Sequence, residues 1–369
     1  MSSITTYPTL TIGQTTEAIA AIGTTNTVLV LSEPGCGKTS ILRGLAEMFG
    51  DKWRNVGDSF EDDKYDYIYI DGPNKEMMDL AATIPNHASK SMDYYISCLF
   101  NMNNPRPKVI LVDEALKVPK LLQPIFTRMY LEKTVGDEPL PKGSYILATS
   151  NNSSDGVGDV LPAHTANRLT IVRMQKPSMK DWLIWAAERN INPIIRATVA
   201  MYPRMMKSYL DADQHDNPYI FRPSSTMLSF VSPRSLEKCN PIVNAKLSEE
   251  MTLALLAGTI GERGARDMSA FIQMEKKVKK FDDIIKNPEG IDMPHEDETA
   301  AILLMLFQGL DHIDTQDKLN KFQLFVNRIK QVEIQTLWFI LLMRSNKARL
   351  GRYNETVNKW AIENHHLLG

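Results

Sequence analysis

TVLVLSEPGCGKTS, Thr27 to Ser40, is the stretch whose reading decides the fold. Val28, Leu29, Val30 and Leu31 form a short apolar run of the kind that makes a buried strand. Pro34-Gly35 is turn chemistry, placed where the chain must bend. Beyond it, Ile41, Leu42, Leu45, Ala46 and Phe49 recur at helical spacing. A strand, a glycine-bearing turn and a helix opening on Lys-Thr make a cradle for phosphate. Backbone N–H groups of the turn wrap the anionic oxygens, and the positive end of the helix adds attraction. Glu33, Pro34, Gly35, Cys36, Gly37, Lys38, Thr39 and Ser40 are therefore the candidate nucleotide contacts. Lys38 would reach the β- and γ-phosphates, and the Thr39 hydroxyl would ligate magnesium. The full pattern has a further glycine where this chain has Ser32, a small replacement.

Downstream, YDYIYID (Tyr65 to Asp71) alternates like a strand, and Gly72 to Phe100 reads as a helical or irregular insertion. VILVDEA (Val109 to Ala115) is a buried strand ending in two carboxylates. A helix is expected over Lys120 to Tyr130, a hairpin over Leu131 to Pro141, and another buried strand in YILATSNN, Tyr145 to Asn152. Strands separated by helical stretches predict a parallel α/β sheet with helices on its faces. Ligands bind along one edge of such a sheet. From about Ser178 the patterns are helical throughout. The expected divisions are an α/β core over 1–176, a helical region over 177–290 and a helical extension over 291–369.

Two adjacent acids ending an apolar strand are costly unless something cationic neutralises them. Asp113 would hold magnesium, directly or through water, and Glu114 would orient and polarise an attacking water. Asn151, with Asn152 as its neighbouring candidate, would hydrogen-bond a γ-phosphate or that water. Arg168 and Arg234 are guanidinium groups suited to charge developing on a transferring phosphoryl group.

Composition bounds the rest. The chain has 369 residues, 43% hydrophobic, with a formal net charge of −2. That balance argues against a dominant nonspecific grip on nucleic acid. Cys36, Cys98 and Cys239 are widely spaced and odd in number, so neither a disulfide framework nor a metal-ligand spacing is expected. No apolar run approaches the length of a membrane span. A cytoplasmic location is expected.

The order SEPGCGKT, VILVDEA, ILATSN, NRL, SPRSL resembles that of an AAA+ ATPase. The resemblance extends over most of residues 10 to 290. It implies a Walker A loop with Lys38 and Thr39, a Walker B pair in Asp113 and Glu114, and sensor 1 in Asn151. It further implies an arginine finger in Arg168 and sensor 2 in Arg234. IDGPNKEMMDLAATIP and LEKTVGDEPLPKGSYILATSN look like the helix-2 insertion and pre-sensor hairpin of the MoxR-type branch. Asn-Arg-Leu stands where Asp-Arg-Phe is more familiar, and such departures would suit a bacteriophage or bacterial member. The resemblance implies ATP and magnesium as cofactors, a helical lid over the nucleotide and a homo-oligomeric ring, hexameric by expectation. It also implies a client or partner protein, in this branch often one with a von Willebrand factor A domain. A GTP-using relative carries Asn-Thr-Ala-Asp near sensor 1, where this chain has ATSNNSSD, which favours ATP. The alternatives are a nucleic-acid-associated ATPase and a nucleotide-gated binding scaffold.

Overall fold

The computed structural model describes residues 8–52, 62–152, 166–223 and 227–365. The chain divides into two compact units, Met1–Lys176 and Pro177–Gly369. Among the described residues, ten strands belong to the first. They are β1 (Thr9–Leu10), β2 (Val28–Ser32), β3 (Asp66–Asp71), β4 (Ala81–Asn86), β5 (Ser91–Ile96), β6 (Lys108–Asp113), β7 (Thr134–Val135), β8 (Glu138–Pro139), β9 (Tyr145–Asn151) and β10 (Thr170–Met174). Six form one sheet in the order β1-β10-β2-β9-β6-β3, and every pairing in it is parallel. The expected parallel α/β sheet is present.

Strand periodicity explains the layering. Successive side chains point to opposite faces. Leu29, Ile110, Val112, Ile146 and Ala148 share one apolar cluster with Phe126, Met129 and Tyr130 of helix Gln123–Glu132. Val28, Val30, Val109, Leu111, Tyr145 and Leu147 share another, with Ile19 of helix Ile12–Ile22 and Ile41, Leu42 and Leu45 of helix Ser40–Phe49. The central strands read as unbroken apolar runs because both faces are covered.

The insertion over Gly72 to Phe100 corrects an expectation. Its only α-helix is the single turn Met77–Leu80, and most of the remainder is an antiparallel hairpin of β4 and β5. Met77, Met78, Ile84, Met92 and Tyr95 on it are exposed. The hairpin expected over Leu131 to Pro141 is formed by β7 and β8.

The second unit has helices and no strand among its described residues, with turns and irregular chain over 207–223 and 227–232. In chain order its helices are Met179–Glu188, Pro193–Met201, Pro233–Asn244, Glu249–Glu275, Phe281–Lys286, Thr299–His312, Gln316–Val326, Val332–Arg344, Ala348–Arg352 and Glu355–Glu363. Helices on both sides of residue 290 share one apolar core, running from Trp182 to Val357. Helix Glu249–Glu275 is broken at Gly261, whose φ of 79° and ψ of 162° suit glycine alone.

One charged pair is set into that core. Arg196 is fully buried, pairs through Nη2 with Asp311, and lies 5.3 Å from the Phe307 ring centroid. Its Nε and Nη1 have no acceptor among the described residues. Burial pulls the guanidinium below its ordinary pKa and pushes the Asp311 carboxyl up, while the pairing opposes both shifts. Removing one member strands the other. Asp311→Ala should therefore destabilise the helical unit by about 3–5 kcal/mol, whereas Arg196→Met with Asp311→Leu should recover most of that loss. Urea denaturation of the three chains measures it.

Candidate functional site

Parity places the expected residues together. Ser32 continues the face of Val28 and Val30, Asp113 that of Val109 and Leu111, and Thr149 and Asn151 that of Tyr145 and Leu147. All belong to the face covered by helix Ser40–Phe49, and all lie at the carboxyl ends of adjacent strands. Asn151 is directly opposite Ser32 in the β2–β9 register.

The loop after β2 turns on two glycines with positive φ, 75° at Gly35 and 92° at Gly37. A side chain at either would meet the steric penalty of the left-handed region. The turn brings Lys38 back across the end of its own strand. Its buried ammonium donates to the Glu33 carbonyl at 3.1 Å, to Ser32 Oγ at 3.3 Å and to Asn151 Oδ1 at 2.7 Å. Thr39 opens the following helix without a side-chain capping bond. Among the described residues, the N–H groups of Gly37 and Thr39 donate to no protein acceptor. Unmatched donors at a helix start form an anion seat. Cys36 is buried beneath the loop.

Asp113 ends β6, between β9 and β3. Its Oδ1 accepts from Thr149 Oγ1 and from the Glu114 N–H at 3.0 Å, and its Oδ2 accepts from the Tyr69 hydroxyl at 3.0 Å. Glu114 follows in a left-handed conformation, φ 50° and ψ 41°, which for a non-glycine residue costs roughly 1–3 kcal/mol. Its carboxylate is half-exposed and paired with Lys117. Among the described residues no cluster of three or more His, Cys, Asp or Glu side chains could hold a metal ion. The Thr39 hydroxyl and Asp113 carboxylate are hard oxygen donors that fit magnesium. Two protein ligands suffice for an ion that keeps waters and binds substrate phosphates.

Arg168 is not part of this cluster, and Arg234 belongs to the second unit. Arg168 is exposed, in the turn before β10. Thr170 starts that strand level with Val28, and its N–H donates to the Thr27 carbonyl at 3.0 Å. Arg168 thus lies at the amino edge of the sheet and the phosphate loop at the carboxyl edge. Five strand residues, roughly 16 Å at about 3.3 Å each, separate the two edges, too far for the arginine to reach within one chain. Arg234 is exposed in the first turn of helix Pro233–Asn244, which Ser232 caps. A cation there is disfavoured by the helix dipole. Residues 153–165, including His164 and most of the segment leading to Arg168, lie outside the described residues. A cavity of about 800 Å³ draws all its lining from the second unit, including Asn192, Lys246, Gln273 and His312. It contains none of the expected site residues.

Three participants escaped the sequence reading: Tyr69, Thr149 and Lys117. Tyr69 and Thr149 carried a usable signal, since each shares strand parity with a terminal polar residue of its own strand.

No known protein-family model matches the chain, and no curated protein matches it. Among solved structures it is similar to a candidate ATPase from Cytophaga hutchinsonii, at 15% identity over 77% of this chain and 92% of that one, with a TM-score of 0.33. It is also similar to RuvB from Thermotoga maritima, a Holliday junction branch migration motor, at 13% identity over 79% and 80%, with a TM-score of 0.33. Likenesses this distant carry no argument about this chain.

Proposed function

We propose that this chain is a magnesium-dependent ATPase of the AAA+ type, close to the MoxR branch, which assembles as a ring and remodels or activates a partner protein. One observation carries the reading. Lys38 bridges the phosphate loop to Asn151, on the edge where Asp113 and Glu114 also end their strand.

Bound magnesium would supply charge neutralisation at the phosphates, held by Thr39 and Asp113. Lys38 exchanges carbonyl partners for phosphate oxygens. Asn151 accepts from Lys38 through Oδ1, which leaves its amide N–H groups for the γ-phosphate or the attacking water. Glu114 takes the proton of that water once Lys117 no longer holds its carboxylate. Arg168, remote from the loop of its own chain, serves the site of a neighbouring subunit. The exposed apolar side chains of the β4–β5 hairpin offer a contact for a partner, such as a von Willebrand factor A domain. No helix among the described residues is long and apolar enough to cross a membrane.

Lys38→Ala should weaken ATP binding by about 30-fold or more, since truncating a buried, hydrogen-bonded charge costs roughly 2–5 kcal/mol. A fluorescent ATP analogue measures this, and unchanged affinity would sink the reading. Arg168→Ala should hydrolyse poorly alone and recover when mixed with Lys38→Ala chains, which supply the missing arginine to its sites. Native turnover by Arg168→Ala alone would rule out the shared site.

A further inference from the structure

We propose that Tyr69 and Thr149 are positioning residues that set how tightly the site holds its magnesium ion. The inference rests on the ATPase reading above and adds two residues with no assigned part in it.

Asp113 ends a strand flanked on both sides, and each neighbouring strand sends it one hydroxyl. Thr149, fully buried on β9, donates to Oδ1, and Tyr69 on β3 donates to Oδ2. The Glu114 N–H adds a second donor to Oδ1. An ionised carboxylate offers about four lone-pair positions. Three are therefore occupied by donors from three different strands or turns, and the plane of the carboxylate is fixed before any ligand arrives. The two side-chain donors are neutral, so they orient the charge without cancelling it. A cation approaching the remaining position meets a carboxylate that has already lost its rotational freedom.

Hydroxyls that merely satisfied a buried acid would matter for stability alone. Hydroxyls that position it matter for metal affinity, and isosteric changes separate these roles. Thr149→Val keeps the shape and removes the donor, Thr149→Ser keeps the donor, and Tyr69→Phe keeps the ring. Outer partners of metal ligands typically contribute about 10–100-fold to affinity.

The experiment uses the full chain and a fluorescent, non-hydrolysable ATP analogue. Its affinity is measured without metal and then across a Mg²⁺ titration, with thermal unfolding recorded for every variant. Thr149→Val and Tyr69→Phe should each raise the half-saturating Mg²⁺ concentration about 10-fold or more, with metal-free affinity within about two-fold of wild type. Thr149→Ser should stay close to wild type. Mn²⁺ titration followed by electron paramagnetic resonance should give the same ranking. If Tyr69→Phe does not fold, the Thr149 pair decides. Unchanged Mg²⁺ dependence in Thr149→Val overturns the inference, as does an equal shift in Thr149→Ser. A wild-type chain that binds no nucleotide overturns the ATPase reading and this inference with it. A wild type that binds, with variants that match it, overturns this inference alone.

Discussion

Glu114→Gln should bind ATP as wild type does and turn it over roughly 10²–10⁴-fold more slowly, the range a positioned general base contributes. The amide keeps the shape of the side chain and loses the proton acceptor. Little else changes. Glutamine meets the same left-handed backbone, so the local strain at φ 50° is retained. The pair with Lys117 is lost, but a partly exposed ion pair contributes only about 0.2–1 kcal/mol. The folded population should therefore be nearly unaffected, and the defect should reside in turnover. Single-turnover hydrolysis beside equilibrium nucleotide binding separates the two. Native single-turnover rates in Glu114→Gln would remove Glu114 from the chemistry and leave the phosphate loop a binding device.

Lys108→Met should cost the first unit about 3–5 kcal/mol, the usual penalty for breaking a buried charge pair. Lys108 is fully buried at the start of β6. Its ammonium donates to Asp66 Oδ2 at 2.5 Å and to the carbonyls of Asn101 and Asn104 at 2.9 and 3.0 Å. Methionine fills a similar volume, so the loss is of polar partners and leaves no large void. Asp66 retains Arg106 at 3.1 Å and Asn101 Nδ2 at 3.0 Å, which argues for the lower end of that range. Against a typical total of about 5–15 kcal/mol, even the lower figure is a large fraction. The cluster lies at the amino edge of the sheet, so whatever chain remains folded should bind nucleotide normally. Urea denaturation followed by hydrogen exchange at the β3 and β6 amides reads the change, and a loss below about 1 kcal/mol would contradict the account.

The parts of the fold written in local pattern were legible. VLVLS, VILVD and YILATSN are apolar runs bounded by polar ends, and the structure has strands at all three. The β4–β5 hairpin was not, for two reasons. Met77, Met78, Leu80, Ala81 and Ile84 are spaced much as on a helix, and Pro85 lies inside a strand, which usually demotes such a reading. A two-stranded ribbon tolerates that proline because each strand is an edge. In the site, Lys38, Asp113 and Asn151 could be read because each ends or follows a strong strand. Tyr69 and Thr149 could not be assigned to Asp113 without the strand order, since their partner is some forty residues away in sequence. The position of Arg168 also needed topology, because only the parallel pairing of β10 with β2 reveals which edge it occupies.

The alternation that buries Val109 and Leu111 on one face also directs Asp113, and in β9 it directs Thr149 and Asn151. The core and the chemistry share a reading frame. One residue inserted or deleted within β6 or β9 would exchange the two faces of the strand beyond it, and an insertion in β9 would place Ser150 where Asn151 belongs while misplacing the apolar layer. Such a change forfeits folding and function in a single step. Insertions should therefore be tolerated in the hairpins and turns alone, where contacts can change without touching how the chain would hold a phosphate.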